Sequence, residues 1–294
     1  MLGERLIFQG HNTFLCRLSW LKKGYDFIEA ENGFNDVDAV VKLGVGKNMV
    51  DAVRYWLRAF GLTNEADELR AVAHELLGPN GYDPYLEDNA TLWYLHYLLV
   101  KTGRASIYHF VFNELRKEGF SFSRAQLQQF IIRRNAELGA NPLNENTLDS
   151  DLTVFVRSYA PSGKDKDKFD IEEESTGLLQ DLGLLTISKS DGIRYHIENL
   201  ERDEVPWQVV LRVILENESW GEVISFNDLE VAPDSPGLVF ALNEKGLFHK
   251  IEAMVAHFPA AIIYSTTAGN RVLTIKKDQI NLNEVMQQYY GLLV

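Results

Sequence analysis

The sequence predicts a mainly α protein with small β-hairpins, an α+β chain of tandem helix-turn-helix or winged-helix-like units. Three observations carry this. Apolar residues recur at helical spacing through most of the 294 residues, as in amphipathic helices packed on a core. Between residues 37 and 60 a short helix, a glycine, an apolar residue, a second glycine and a longer helix follow one another, which is a helix-turn-helix pattern. Twice in the C-terminal half, a helical stretch precedes two alternating apolar runs around a glycine-containing turn, the mark of a hairpin.

In chain order, residues 4–14 place Leu6, Ile7 and Phe8 before Gly10 and read as a strand and turn. Residues 18–30 carry helical apolar spacing. Residues 37–43 form a short helix that Asn35 or Asp36 can cap. Gly44 sits where a helix end wants a left-handed residue. Val45 is an apolar plug and Gly46 keeps the turn tight. A longer helix runs from Lys47 or Asn48 to Phe60, with Met49, Val53, Trp56, Leu57 and Phe60 on one face. Asn48, Asp51, Arg54, Tyr55 and Arg58 lie on the other. Helices follow at 69–77 and 90–100, the latter apolar nearly all round and so a core helix. His96 and His109 read as hydrogen-bonded core or boundary histidines. A basic stretch holds helices 110–117 and 123–138, the second capped by Ser121 or Ser123, and a third helix spans 147–159.

The charged run 162–175 reads as a linker or exposed loop. It divides the chain into a helical, DNA-facing domain, 1–161, and a winged-helix-like, acidic, protein-contacting domain, 162–294. In the second, a short helix at 176–182 ends at Gly183. Strands 184–188 and 193–197 join through Ser190, Asp191 and Gly192. Helices at 207–215, 247–258 and 282–290 and strands at 260–265 and 271–275 complete it.

The formal net charge of -13 excludes a non-specific nucleic-acid coat. The charge is uneven. Residues 1–60 hold 8 Lys/Arg against 7 Asp/Glu, and 101–140 hold 7 against 3, whereas 201–294 hold 7 against 13. A polyanion site therefore belongs in the N-terminal half, where near charges dominate within a screening length of roughly 8 Å. One cysteine, Cys16, excludes an internal disulfide framework and a multi-cysteine zinc site. No apolar run is long enough to span a bilayer and the N-terminus does not read as a signal peptide, so a cytoplasmic location with no membrane partner is expected. Phosphate-loop, dinucleotide, HExxH and GxSxG motifs are absent, as is a recognisable nuclease constellation.

The longer helix of the helix-turn-helix is the one to offer to a major groove. Lys47, Asn48, Arg54, Tyr55 and Arg58 are its candidate DNA contacts, with Arg133, Arg134 and Arg124 as phosphate contacts further on. The same pattern also suits a helical pair that never touches DNA. His11 is the candidate catalytic residue, since imidazole acts as a general base or metal ligand. Arg17, Lys22 and Lys23 beside it could hold a phosphate. The alternative is a capped turn in which His11 or Thr13 bonds to the following helix. Asp149 with Asp151, and Asp228 with Glu230, are spaced i, i+2 and favour helix termini over a metal.

Residues 10–28, GHNTFLCRLSWLKKGYDFI, and 43–62, LGVGKNMVDAVRYWLRAFGL, resemble the SspB-like family of unknown-function-domain proteins. That family belongs to bacterial DNA phosphorothioation (Ssp-type) anti-phage defence clusters. The resemblance covers about the first 62 residues. His11, Thr13, Arg17, Trp20, Lys22, Lys23, Lys47, Asn48, Met49, Arg54, Tyr55 and Trp56 match the family pattern, whereas Asn12 stands where the family has glutamate. Trp20, Met49 and Trp56 are assigned to core packing. The resemblance implies a DNA-binding component of the modification system that nicks DNA for sulfur incorporation, with Mg or Mn assisting phosphodiester hydrolysis. It also implies partners: a cysteine desulfurase, an ATP-pyrophosphatase-type sulfurtransferase and an ATPase. The absence of a nuclease motif leaves two alternatives open, a non-catalytic DNA-binding adaptor for the sulfurtransferase partners and a winged-helix transcriptional regulator.

Overall fold

The computed structural model describes residues 6–8, 10–160, 177–190, 192–267 and 269–291. Contacts group the chain into two compact units, one of Met1–Glu87 with Leu98–Ile197 and one of Asp88–Tyr97 with Glu198–Val294.

In the first unit, helix α1 (Leu18–Glu29) buries Trp20, Leu21, Gly24, Tyr25 and Phe27. Helix α2 (Ala39–Leu43) ends at Gly44, whose φ of +66° makes the expected left-handed cap. Gly46 opens helix α3 (Lys47–Ala59). At Gly24 a Cβ would lie 2.6 Å from Leu57 Cδ1 and 2.9 Å from Val53 Cγ1, so its bareness lets α1 and α3 close up. Two expectations about α3 change. Tyr55, expected on the exposed face, is buried, and Met49, expected inside, is half-buried. The cause is that α3 is covered on two sides, by α1 at Val53 and Leu57 and by the N-terminal turn at Tyr55 and Trp56.

Helix α4 (Ala71–Leu77) follows, then α5 (Asn89–Thr102), whose residues 90–97 are all buried as the apolar run predicts. His96 Nε2 meets the Val239 carbonyl at 2.8 Å and His109 Nδ1 the Val100 carbonyl at 3.0 Å, as expected of core histidines. The expected helix 110–117 is instead α6 (Ser106–Phe110), a π-helical segment (Val111–Leu115) and α7 (Arg116–Glu118). Strand β1 (Ser121–Phe122) leads to α8 (Arg124–Glu137), which starts with a capping box between Ser123 and Gln126. Helix α9 (Glu145–Tyr159) is capped by the Asn144 side chain.

Strands β2 (Thr186–Ser188) and β3 (Arg194–His196) complete an antiparallel sheet of order β1-β3-β2. Of the helix expected at 176–182, only a 3₁₀ turn, Gln180–Leu182, forms among the described residues. The linker read at 162–175 lies outside the described residues. The first unit runs on to Ile197, because β3 pairs with β1 and Leu178 N–H donates to the Cys16 carbonyl at 3.0 Å.

The second unit holds α10 (Trp207–Glu216), β4 (Val223–Ser225), α11 (Phe226–Val231) and α12 (Pro236–Val239). It continues with α13 (Glu244–His257), β5 (Ile262–Thr267), β6 (Asn270–Ile275) and α14 (Leu282–Gly291). Its sheet order is β4-β6-β5. Both units therefore repeat one succession: helix, short strand, helices, then two strands whose last lies in the middle. Tyr94 from α5 bonds Glu216 at 2.9 Å, and the Arg212 guanidinium lies 3.8 Å from the centre of the Tyr94 ring. No described helix is long and apolar enough to cross a membrane.

Candidate functional site

The strand expected at residues 4–14 does not form among the described residues. Residues 11–14 instead make a tight turn, with Phe14 N–H donating to the His11 carbonyl at 2.9 Å. Its two central residues, Asn12 and Thr13, have φ of +48° and +68°. A β-branched residue in that region is strained by on the order of 1–3 kcal/mol, so its surroundings must hold it.

They do so from several sides. His11 is 3% exposed. Its Nδ1 accepts Thr13 N–H at 3.2 Å and its Nε2 donates to Asp151 Oδ1 at 2.9 Å. The ring stacks on Trp56, 5.9 Å between centroids and 13° between planes, and meets Tyr55 edge-on. The Trp56 indole donates to the Phe14 carbonyl at 3.1 Å. A Cβ at Gly10 would lie 2.2 Å from the Tyr55 ring, so only glycine fits there. Burial, then the Asp151 carboxylate, pushes the Tyr55 hydroxyl far above its ordinary value. The motif residues Gly10, His11 and Phe14 thus plug the turn into α3 and α9.

Asp151 is the partner that the sequence reading missed. It does not serve a helix terminus: it lies in the second turn of α9, 5% exposed. The signal was available, because Asp151 falls among Leu148, Leu152 and Phe155 on the buried face. A carboxylate on such a face requires a donor.

What the turn presents outward is Asn12 and Thr13, both exposed. The Asn12 amide donates to the Asn48 carbonyl at 3.4 Å, tying the turn to the first turn of α3. Lys47 and Asn48 are exposed beside it, and Lys23 is exposed on α1. Neither Lys23 nor Lys47 has an ion-pair partner among the described residues.

The other candidate cations are held internally. Lys22 pairs with Asp26 and lies over the rings of Tyr25 and Tyr85. Asp67, at φ +64°, places one carboxylate oxygen 2.6 Å from Arg54 and the other 2.6 Å from Arg58. Arg58 also donates to the Glu65 carbonyl at 2.9 Å, and Glu65 pairs with Arg104. On α8, Arg133 meets Glu118 at 2.6 Å, and Arg134 meets Glu114 at 2.6 Å and also pairs with Glu137. Arg124 bonds Asp149 and Thr153. The fold therefore gathers His11, Tyr55 and Asn48 around the turn and Arg54 with Arg58 around Asp67. It leaves Arg133 and Arg134 on a separate helix.

Among the described residues, one group of three metal-capable side chains converges: Glu201, Asp203 and His249, in the second unit. Lys245 holds Glu201 at 2.8 Å and keeps its carboxyl below the usual range. Magnesium prefers an all-oxygen octahedral shell. An imidazole and a carboxylate already bonded to lysine do not fit it.

A model of the family described as a protein of unknown function (DUF4007) matches residues 8–290. The chain belongs to that family. Its fold is similar to a crystal structure of SspB, with a TM-score of 0.82 and 26% identity, covering 98% of this chain and 88% of that one. It is likewise similar to a magnesium ion-bound crystal structure of SspB, with a TM-score of 0.82, 27% identity and the same coverage. No curated protein matches the chain. The similarity extends over both units, well beyond the motif-bearing first 62 residues, and it is SspB-like throughout.

Proposed function

We propose that this chain is the DNA-contacting component of a bacterial DNA phosphorothioation system of the SspB kind, acting in the cytoplasm. The observation that carries the reading is the exposed group of Asn12, Lys47 and Asn48, with Asn12 set beside α3 by the buried His11 and bonded to the Asn48 carbonyl, and with Lys23 uncommitted on α1. Exposed polar and cationic groups of this kind set a protein's register on phosphates. The likeness to SspB supports the system assignment. In this reading the two repeats of helix, strand, helices and hairpin are tandem winged-helix units. The first unit faces DNA, and the acidic second unit meets the sulfur-transfer proteins: a cysteine desulfurase, an ATP-pyrophosphatase-type sulfurtransferase and an ATPase.

The adaptor role is favoured over catalysis by His11, because its two ring nitrogens are both engaged inside the fold. A nickase is the second reading, favoured by the strained turn and by the magnesium-bound SspB relative. His11 then positions Asn12 and Thr13 rather than taking a proton, and Mg or Mn would supply Lewis acidity to the phosphodiester.

The deciding experiment is a gel shift on linear duplex at several salt concentrations, with supercoiled plasmid incubated in parallel with Mg²⁺, Mn²⁺ or chelator. Salt-sensitive binding that weakens in Lys23→Ala/Lys47→Ala, with the salt slope falling by about 0.9 per lost phosphate contact, supports the interface. Unchanged binding in that variant rejects it. Open circles formed only with metal select the nickase; intact plasmid with a shifted duplex selects the adaptor.

A further inference from the structure

We infer that the free edge of β5 is a docking site for an extended, basic strand of a partner protein, which would add to the second sheet beside β5. The inference rests on the adaptor reading only in requiring a partner protein.

The hydrogen-bond alternation of the sheet fixes which groups are free. Ile275 N–H donates to the Glu222 carbonyl, toward β4, at 2.7 Å, and Lys276 N–H donates to the Ala261 carbonyl, toward β5, at 2.9 Å. In an antiparallel ladder bonded and non-bonded pairs alternate. The pairs Ile263 with Thr274, Ser265 with Val272 and Thr267 with Asn270 are therefore the bonded ones. Tyr264 and Thr266 lie opposite Leu273 and Arg271 and point their N–H and C=O groups away from β6. Ile262 N–H is already bonded to Phe258. The strand thus offers two complete backbone donor and acceptor pairs on its open side, with no backbone partner among the described residues.

Natural sheets guard such edges by making them short, charged or bulged. The other edges among the described residues follow that rule. β1 has two residues; β2 has three and is followed by Lys189; β4 has three and is preceded by Glu222. Strand β5 has six residues, and no charged residue occurs from Phe258 to Asn270. Its sequence, IIYSTT, has high strand propensity. Ile263, 49% exposed, and Val223, 67% exposed, flank Thr274 across the sheet and make an apolar stripe next to the edge. An unguarded edge beside exposed aliphatic side chains is the geometry of strand addition.

Charge decides the occupant. The second unit holds 15 Asp/Glu against seven Lys/Arg. Arg271, opposite Thr266 on β6, is already paired with Glu230 and Glu244, so the net negative charge of the unit opposes a second copy and attracts a strand alternating β-branched and basic residues.

The test uses the full chain and a short fluorescent peptide alternating valine with lysine. Matched controls carry glutamate for lysine or are N-methylated at alternate residues. The expected result is saturable binding of the lysine peptide, weaker by about tenfold or more for both controls, with slowed hydrogen exchange at Tyr264 and Thr266. Thr266→Pro, which removes one outward N–H from an edge strand, lowers binding similarly. Because the N-methylated peptide leaves the protein unaltered, the result does not depend on that variant folding. Equal binding of all peptides, or no exchange protection at Tyr264 and Thr266, overturns the proposal. So does a concentration-dependent dimer of the chain alone that protects those amides. The gel shift on the same sample reads DNA binding separately, so failure at this edge and failure of the DNA interface are distinguished.

Discussion

The His11 imidazole donates to the Asp151 carboxylate at 2.9 Å inside a site where neither residue is more than 5% exposed. This one bond ties the N-terminal turn to α9. Removing one partner of a buried pair leaves the other uncompensated, at a typical cost of about 3–5 kcal/mol. His11→Ala should therefore lower the denaturation midpoint sharply. Asp151→Asn, which keeps an acceptor in place, should cost less, about 1–2 kcal/mol. Urea titrations of both variants check this; an equal, small effect in the two would show that the pair does not hold the turn.

Gly10 argues in the same direction from shape alone. A methyl group there would lie 2.2 Å from Tyr55 Cδ2 and 2.3 Å from Cε2. Tyr55 is enclosed by His11 and Trp56, so the ring has little room to retreat. Gly10→Ala should destabilise by about 1–3 kcal/mol, as overpacking does. Tyr55→Leu in the same chain should recover part of the loss. A Gly10→Ala protein with wild-type stability would show that the turn yields instead.

Much of the fold was legible because its elements are locally encoded. Gly44 and Gly46 mark the break between α2 and α3, and Ser123 with Gln126 announces α8. Thr267 and Gly269 bound the tip between β5 and β6 at the expected place. The candidate site was less legible, because its partnerships are non-local. Nothing near Arg54 and Arg58 in the helix says that Asp67, beyond its end, will hold both. Tyr55 has the spacing of an exposed residue and is buried only because the turn at Gly10 returns over it. The resemblance in residues 10–62 identified the family that geometry alone does not name.

Lys250 adds one pH-dependent contribution to the stability of the second unit. It lies on the buried side of α13, its Nζ 3.3 Å from the Asp203 carbonyl. Burial pulls its ammonium below the ordinary value, against the partial opposition of Asp203 and Glu204. A lysine with a depressed folded pKa binds fewer protons folded than unfolded on the alkaline side. The Lys250 contribution to stability therefore rises with pH from its folded value up to about 10.4, the unfolded one. Below that window the burial cost is present in full. Lys250→Met should flatten this alkaline rise and leave stability at neutral pH unchanged or higher by about 1 kcal/mol. Thermal unfolding across pH 7–11 reads it, and a wild-type slope retained in the variant would assign the rise elsewhere.

Asp67 gives a test of opposite sign to the usual loss of binding. Its carboxylate holds Arg54 and Arg58 at 2.6 Å each, on the same helix that begins with Lys47 and Asn48. Asn tolerates the left-handed backbone that Asp67 adopts, so Asp67→Asn keeps the loop while removing the charge. The ion pairs are partly exposed, so the stability cost should stay near 1 kcal/mol. If α3 faces the duplex, the released guanidiniums reach phosphates, and affinity rises. The slope of log affinity against log salt should then steepen by about 0.9 for each phosphate gained. Adding Lys47→Ala should remove about one phosphate contact from that gain. Binding and slope identical to wild type in a folded Asp67→Asn protein would turn the Arg54 and Arg58 flank of α3 away from DNA and confine the interface to Lys47, Asn48 and the Asn12 turn.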